Sequence, residues 1–162
     1  MFVSFRYPTK KQNHIWLKRR QKTPPSIIAK ELGVSRPFVS QAQRIAEQRI
    51  KKLMLNAAQV NRIKIQNVSS QYGFAIGYCH SNKSQTYITY SPEYRIQVWF
   101  DHEGDCASCA EQSDCVRILR GLAEEWKIGI SKDLPPTKIA KTLFDTIVER
   151  LGWDRNGKRQ DF

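Results

Sequence analysis

The segment from Pro25 to Arg44 restricts the fold of this chain more than any other, because its spacing matches a helix-turn-helix. Ala29 is small where two helices must approach closely, and Gly33 follows where the turn needs a positive φ. Ser35 is a suitable N-cap for the second helix. The apolar residues at the spacing that closes a core between the two helices are Ile28, Leu32, Val34, Val39 and Ala42. The segment therefore predicts a helix-turn-helix, and the alternative is a helical hairpin used only for packing.

Helical periodicity extends on both sides of this motif. Residues 9–21 combine a short apolar stretch with Lys and Arg, and they would supply the third helix that such units need. No Gly or Pro interrupts residues 39–60, so the second helix of the motif should continue to the end of that range. A heptad-like seam runs along it through Val39, Ala42, Ala46, Ile50, Leu53, Ala57 and Val60. The seam would pack on the rest of the chain or on a second copy, and we favour a homodimer.

The periodicity changes after Asn61. Alternating or β-branched runs separated by turn residues predict strands at 62–66, 74–78, 86–90 and 94–100. Helical spacing returns in 116–128 and 137–151, with prolines between the two segments.

These patterns predict an α+β fold with two domains. Residues 1–60 would form a three-helix helix-turn-helix with an extended last helix. Residues 61–162 would form a small antiparallel sheet of three or four strands, a Cys-rich metal-binding loop and two C-terminal helices.

The charge of the chain indicates a polyanionic partner. The formal net charge is +12, and much of the excess lies on the helix-turn-helix and its flanks, which favours nucleic acid over a membrane surface. No apolar run approaches the length of a membrane span, and the first residues lack the apolar core of a signal peptide. We therefore expect a cytoplasmic protein that binds no membrane.

Three of the four cysteines have a spacing typical of a metal site. Cys106, Cys109 and Cys115 form a C-x2-C-x5-C pattern, and tetrahedral zinc or an iron–sulfur cluster requires a fourth ligand. Cys79 is the preferred candidate because it would leave no cysteine unexplained, and His102 is the alternative. The cofactor expected is a [4Fe–4S] cluster, with Zn²⁺ as the alternative.

Two resemblances add to this interpretation. The C-x2-C-x5-C spacing is similar to the last three cluster ligands of endonuclease-III-type DNA glycosylases, which implies a [4Fe–4S] cluster, although no Lys/Asp catalytic pair accompanies it. The helix-turn-helix followed by a cysteine-loop domain resembles archaeal transcription regulators of the Tfx or sigma-region-4 type. The residues that carry this second resemblance are Ile28, Ala29, Leu32, Gly33, Val34 and Val39. It implies sequence-specific binding to double-stranded DNA.

The side chains expected to contact DNA fall into two sets. Base edges in the major groove would be read from the second helix of the motif, where phosphate contacts are also available. The residues of this set are Ser35, Arg36, Ser40, Gln41 and Arg44. Phosphates would be held by the basic side chains Lys10, Lys11, Lys18, Arg19, Arg20 and Lys22.

The resulting prediction is a DNA-binding transcriptional regulator whose cysteine loop senses redox state or iron. The alternative is a zinc-stabilised DNA- or RNA-binding protein in which the metal is only structural. An enzyme is not expected, because the three histidines are scattered and no catalytic set or phosphate-binding loop is recognisable.

Overall fold

The computed structural model describes residues 5–160, and it has the predicted α+β fold. Three helices precede a four-stranded antiparallel sheet, and two helices follow it. The helices are α1 (Lys10–Arg20), α2 (Pro25–Leu32), α3 (Arg36–Val60), α4 (Gln112–Glu125) and α5 (Pro136–Arg150). The strands are β1 (Ile63–Ser69), β2 (Phe74–Cys79), β3 (Ser84–Ser91) and β4 (Arg95–Phe100). A short 3₁₀ turn, Cys106–Ser108, lies between β4 and α4.

Local sequence signals set the helix ends of the N-terminal unit. Thr9 and Gln12 form a reciprocal capping box at the start of α1. Gly33 ends α2 with a φ of 64°, a left-handed conformation that glycine adopts without a Cβ clash. The Ser35 hydroxyl then accepts a hydrogen bond from the backbone N–H of Phe38 at 3.2 Å and caps α3. The helix-turn-helix geometry expected from this spacing is therefore confirmed.

The sheet is a meander in the order β1-β2-β3-β4, and its two faces have different partners. Ala75, Ile88 and Tyr90 point to one face, where they pack with α3 and Trp16. On the other face, Phe74 and Ile76 pack with α4 and α5. The chain thus forms three layers, with α1 and α3 on one side of the sheet and the C-terminal helices on the other.

The apolar seam of α3 lies inside this chain. Its residues from Val39 to Leu53 are buried, the first two against α1 and α2 and the later ones against α1 and the sheet. The prediction that the seam pairs with a second copy is therefore wrong, because the chain's own core occupies it. Val60, at its end, is 72% exposed.

The core also crosses the predicted boundary between residues 60 and 61. Trp16, Ile50 and Met54 from the helical part share one cluster with Ile63 and Ala75 from the sheet. Among the described residues, a small second cluster belongs to the three N-terminal helices alone: Ile15, Ile28, Ala29, Val39 and Ala42. None of the helices between residues 5 and 160 has the length and apolar character needed to cross a membrane.

Candidate nucleic-acid interface and cysteine loop

The polar residues predicted to read bases lie on the exposed side of α3. Arg36, Ser40 and Arg44 follow one another at four-residue steps, which places them along one side of the helix. Gln41 and the capping Ser35 are exposed beside them. The opposite side of the same turns is anchored in the core of the helix-turn-helix. The first turns of α3 therefore present a polar and basic face to solvent.

Sequence reasoning missed an aromatic residue on this surface. Phe38 lies in the first turn of α3, between the predicted DNA-contacting residues Arg36 and Ser40, and it is 42% exposed. The Lys11 ammonium lies 5.8 Å from the centre of its ring, within the range of a cation–π contact. Phe38 is not one of the apolar positions that form the core of the motif. This difference could have indicated from the sequence that its ring is exposed. An exposed ring at this place can contact a thymine methyl group.

The predicted phosphate-binding residues differ in how free they are. Lys10, Lys11 and Lys22 are exposed. Lys18 is half-buried and lies 3.5 Å from a Glu31 carboxylate oxygen. The Arg19 guanidinium donates to Gln43 Oε1 at 3.0 Å and to the Thr23 carbonyl at 2.9 Å. Lys18 and Arg19 therefore make contacts within the N-terminal helices, in addition to the positive charge that each places near this surface.

Arg20 is not a phosphate-binding residue, and its assignment to that set is wrong. Only 3% of its side chain is exposed, and its guanidinium pairs with Glu125 at 2.7 Å. The guanidinium carbon also lies 5.0 Å from the ring centre of Trp16 and 4.6 Å from that of Trp126. Burial lowers the pKa of Arg20, and the Glu125 carboxylate opposes this shift. Arg20 connects the end of α1 to the end of α4.

Both carboxylate oxygens of Glu125 accept hydrogen bonds. The Ser91 hydroxyl donates to Glu125 Oε2 at 2.6 Å, while Arg20 occupies Oε1. The Arg20 guanidinium also donates to the Tyr72 carbonyl at 3.3 Å. A buried charge pair of this kind is tolerated because hydrogen bonds within the protein replace those that its polar atoms would make with water.

Cys79 cannot be the fourth ligand of the cysteine loop. It lies at the end of β2 with only 2% of its surface exposed, on the sheet face that packs against α3. Its Sγ lies 3.9 Å from the Asn61 carbonyl oxygen. The loop leads instead into α4, which covers the opposite face of the sheet. The alternation of side chains along a strand therefore separates Cys79 from the other cysteines.

The three remaining thiols lie on one short segment at the start of α4. Cys106 and Cys115 are half-buried, and Cys109 is exposed. Burial raises the pKa of the Cys115 thiol, and the negative charges of Glu111, Cys109 and Cys106 raise it further. Within residues 5–160, no three side chains of His, Cys, Asp or Glu are close enough together to hold a metal ion. The segment therefore carries metal-binding chemistry without an assembled site in this conformation.

His102 is the remaining candidate for a fourth ligand. Its Nδ1 lies 2.8 Å from the Phe100 carbonyl oxygen, which requires Nδ1 to be the protonated nitrogen of the neutral ring. The ring also packs on Trp99, with ring centres 5.1 Å apart. Nε2 is then the nitrogen with a free lone pair, as in histidines that bind metal while the other nitrogen is hydrogen-bonded to the backbone.

Comparison of the chain with protein-family models, with curated proteins and with solved structures found no match. The resemblance to archaeal regulators of the Tfx or sigma-region-4 type therefore stays a prediction. It rests on the residues of the helix-turn-helix and on the spacing of the cysteine loop.

Proposed function

We propose that this protein is a sequence-specific transcriptional regulator that binds double-stranded DNA through the start of α3. The observation that carries the proposal is the exposed polar face of α3 within a helix-turn-helix. In such units the N-terminal turns of the second helix enter the major groove, while the first helix crosses the backbone. The chain is expected to act without catalysis.

Base recognition is assigned to three long side chains on this face. Arg36 and Arg44 can each donate two hydrogen bonds to a guanine, and Gln41 can pair with an adenine. Ser35 and Ser40 are short, so they are assigned to phosphate or to a neighbouring base edge. Phe38 adds apolar contact in the same turn.

Phosphate binding is assigned first to Lys10, Lys11 and Lys22, whose ammonium groups are exposed. Lys18 and Arg19 contribute charge close to the same surface. Binding of this kind releases counterions from DNA, so the logarithm of affinity should fall linearly with the logarithm of salt concentration. The excess of basic residues in the chain also favours fast, electrostatically steered association.

The test begins with selection of bound duplexes from a random DNA pool, followed by fluorescence anisotropy on the selected sequence. Arg36→Ala with Arg44→Ala should weaken binding about 30-fold or more, since each of the two bidentate contacts is worth about 1–3 kcal/mol of discrimination. The matched control is Arg117→Ala with Arg155→Ala, which removes the same charge from exposed positions outside the motif. Equal affinity of both double variants would contradict the assignment of α3 as the recognition helix.

RNA binding is the competing outcome of the same experiment. Single-stranded RNA added as competitor should displace the duplex only at a large excess. Displacement at equal concentration would favour the RNA-binding alternative over a DNA regulator.

A second proposal concerns the cysteine loop: it rearranges to bind Zn²⁺ through Cys106, Cys109, Cys115 and His102, which are not assembled into a site in the conformation described above. The donor chemistry of three thiolates and one imidazole suits structural zinc, whereas a cubane cluster is usually held by four thiolates. Exclusion of Cys79 therefore favours zinc over the [4Fe–4S] cluster. A metal here would fix a loop that has few buried residues of its own.

Elemental analysis of protein purified without oxygen, together with a visible spectrum, tests the metal. We expect one zinc per chain, a colourless solution, and loss of the metal in Cys109→Ser but not in Cys79→Ser. A brown protein with iron and sulfide would contradict zinc and support a cluster. Retention of metal in His102→Ala would remove this histidine from the ligand set. Sedimentation of the same sample measures whether the predicted homodimer forms through another surface.

A further inference from the structure

A groove of about 760 Å³ runs along the middle of α3, and neither proposal above uses it. Arg6, in the segment before α1, contributes to its lining. The other lining residues belong to α3, and they are Ile45, Gln48, Arg49, Lys51, Lys52 and Leu55. Leu55 is 40% exposed, and Ile45 is half-buried. The groove therefore combines two aliphatic side chains with four cationic ones, and we call it the α3 groove.

The cationic side chains of the α3 groove have no acidic counterpart in its lining. Arg6, Lys51 and Lys52 are exposed, and none of them has an ion-pair partner among residues 5–160. Glu47 is the only acidic residue of α3, but it does not line the groove, and it accepts a hydrogen bond from Gln43 Nε2 at 3.1 Å. Positive charges gathered without a counterion create a potential that attracts an anion.

Arg49 is held in a fixed position where α3 meets the segment before α1. Its Nη1 donates to Gln12 Oε1 at 3.0 Å and to the Tyr7 carbonyl oxygen at 3.3 Å. Neither acceptor is charged, so these bonds orient the guanidinium without neutralising it. The N–H groups of Nε and Nη2 remain for a further acceptor. A phosphate oxygen suits this planar and charged donor well.

The α3 groove continues the surface to which base recognition is assigned above. Ile45 also lines a smaller pocket, which it shares with Phe38 and Gln41. Lys51 follows Arg44 by about two helical turns, which places both on the same side of α3 and about 10 Å apart along its axis. The major groove of DNA is about 12 Å wide, and phosphates border it. When Arg44 contacts a base edge, Lys51 is therefore far enough along the helix to meet the backbone.

We propose that the α3 groove holds the sugar–phosphate backbone of the DNA beside the bases that the first turns of α3 read. Arg6, Arg49, Lys51 and Lys52 contact phosphate oxygens, and Leu55 packs against the sugars. The duplex is then bound by the middle turns of α3 as well as by its first turns. This inference rests on the proposed function, and it adds phosphate contacts to those assigned to α1 and to the turn after it.

The test measures the affinity of the full chain for the selected duplex and for a scrambled duplex, by fluorescence anisotropy over a range of salt concentrations. Lys51→Gln with Lys52→Gln removes two charges and keeps residues that favour a helix. Each lost phosphate contact should make the plot of log affinity against log salt concentration shallower by about 0.9, so this double variant should lose about 1.8 of the slope. Its affinity should fall by the same factor for both duplexes, because phosphate contacts carry no sequence information.

Lys138→Gln with Lys141→Gln is the matched control, since it removes the same charge from exposed positions of α5. It should leave the slope and both affinities close to those of the unaltered chain. Ethylation of single phosphates in the selected duplex locates the contact. It should block binding of the unaltered chain at phosphates beside the selected bases, and the variant with Lys51→Gln and Lys52→Gln should be insensitive to ethylation there.

The inference is overturned if the groove variant has the slope and affinities of the α5 control, or if it weakens binding of the selected duplex alone. In either case, a selective loss in Arg36→Ala with Arg44→Ala would still support the proposed function. Failure of the unaltered chain to bind any duplex would overturn both.

Discussion

Arg20 remains charged although it is buried where α1 meets the end of α4. The Glu125 carboxylate neutralises its charge, and two indole rings cover its guanidinium. Its guanidinium donates to Glu125 and lies against the faces of Trp16 and Trp126. The planar, weakly hydrated guanidinium suits such a place better than an ammonium group would. One side chain thereby couples the first helix of the chain to the end of α4.

Removal of this guanidinium should strongly destabilise the protein. Arg20→Ala leaves Glu125 buried without its partner, so we expect a loss of about 3–5 kcal/mol in the free energy of unfolding. Urea denaturation followed by circular dichroism measures the loss. Arg19→Ala is the control on the neighbouring, half-buried position, and it should cost far less. A similar loss of stability in both variants would show that Arg20 contributes only as a residue of α1, and that its ion pair with Glu125 adds nothing.

At the scale of residues, the sequence predicted what depends on near neighbours. Gly33 and Ser35 have their roles because of positions within the same turn, so spacing alone identified them. The environments of Arg20 and Cys79 depend on residues far away in the chain. A run of basic residues does not reveal that one member points to Trp126, the residue that follows α4. Strand alternation does reveal that Cys79 has a defined face, but not which helices cover that face.

Among the elements, α3 combines two environments in one uninterrupted helix. Its first turns present Arg36 and Arg44 to solvent, whereas Ile50 and Met54 in its second half are fully buried against the sheet and α1. The periodicity predicted the whole helix and its apolar side. The partner of that side was mistaken for a second copy, because a heptad-like spacing describes a buried stripe and not what covers it.

The turn between β1 and β2 should tolerate substitution less well than the turn of the helix-turn-helix. Gly33 and Gly73 both have a φ of 64°, so an added Cβ strains either backbone. At Gly33 no heavy atom lies within 4 Å of that Cβ, whereas at Gly73 the Trp16 ring lies 2.8 Å away. We expect Gly33→Ala to cost about 1–2 kcal/mol, and Gly73→Ala to cost about 1–3 kcal/mol more from overpacking.

Thermal or urea unfolding of both variants measures this difference. Gly129→Ala is the control, since its Cβ would meet no atom within 4 Å and its φ lies outside the left-handed region. Equal losses for Gly33→Ala and Gly73→Ala would mean that Trp16 can move aside without cost.

Across the whole molecule, the sheet separates two sides with different chemistry. The proposed DNA-binding face belongs to the helical side, while the cysteine loop leads into the side of α4 and α5. The sequence predicted the elements and their order along the chain. It did not predict the order of the layers, because nothing in it indicates which helix covers which face of the sheet. The shared core is therefore the feature that the division into residues 1–60 and 61–162 did not anticipate.

That shared core predicts that residues 1–61 will not fold alone. Without the sheet, Trp16, Ile50 and Met54 lose the partners that bury them completely in the full chain. The cluster left to the helix-turn-helix is small, and a chain of about 60 residues is marginal even with a complete core. We therefore expect the fragment to show poorly dispersed NMR signals and no cooperative thermal transition. The full chain should unfold in one transition by circular dichroism and by tryptophan fluorescence.

The control separates unfolding from aggregation. Met54→Glu in the fragment replaces an apolar side chain that would be exposed, so it should improve solubility without restoring a cooperative transition. In the full chain the same substitution should be severely destabilising, because Met54 is fully buried there. A fragment that unfolds cooperatively and binds the selected DNA would instead show that the helical part is a true domain. The contacts of α3 with the sheet would then be an interface between two domains that each fold independently.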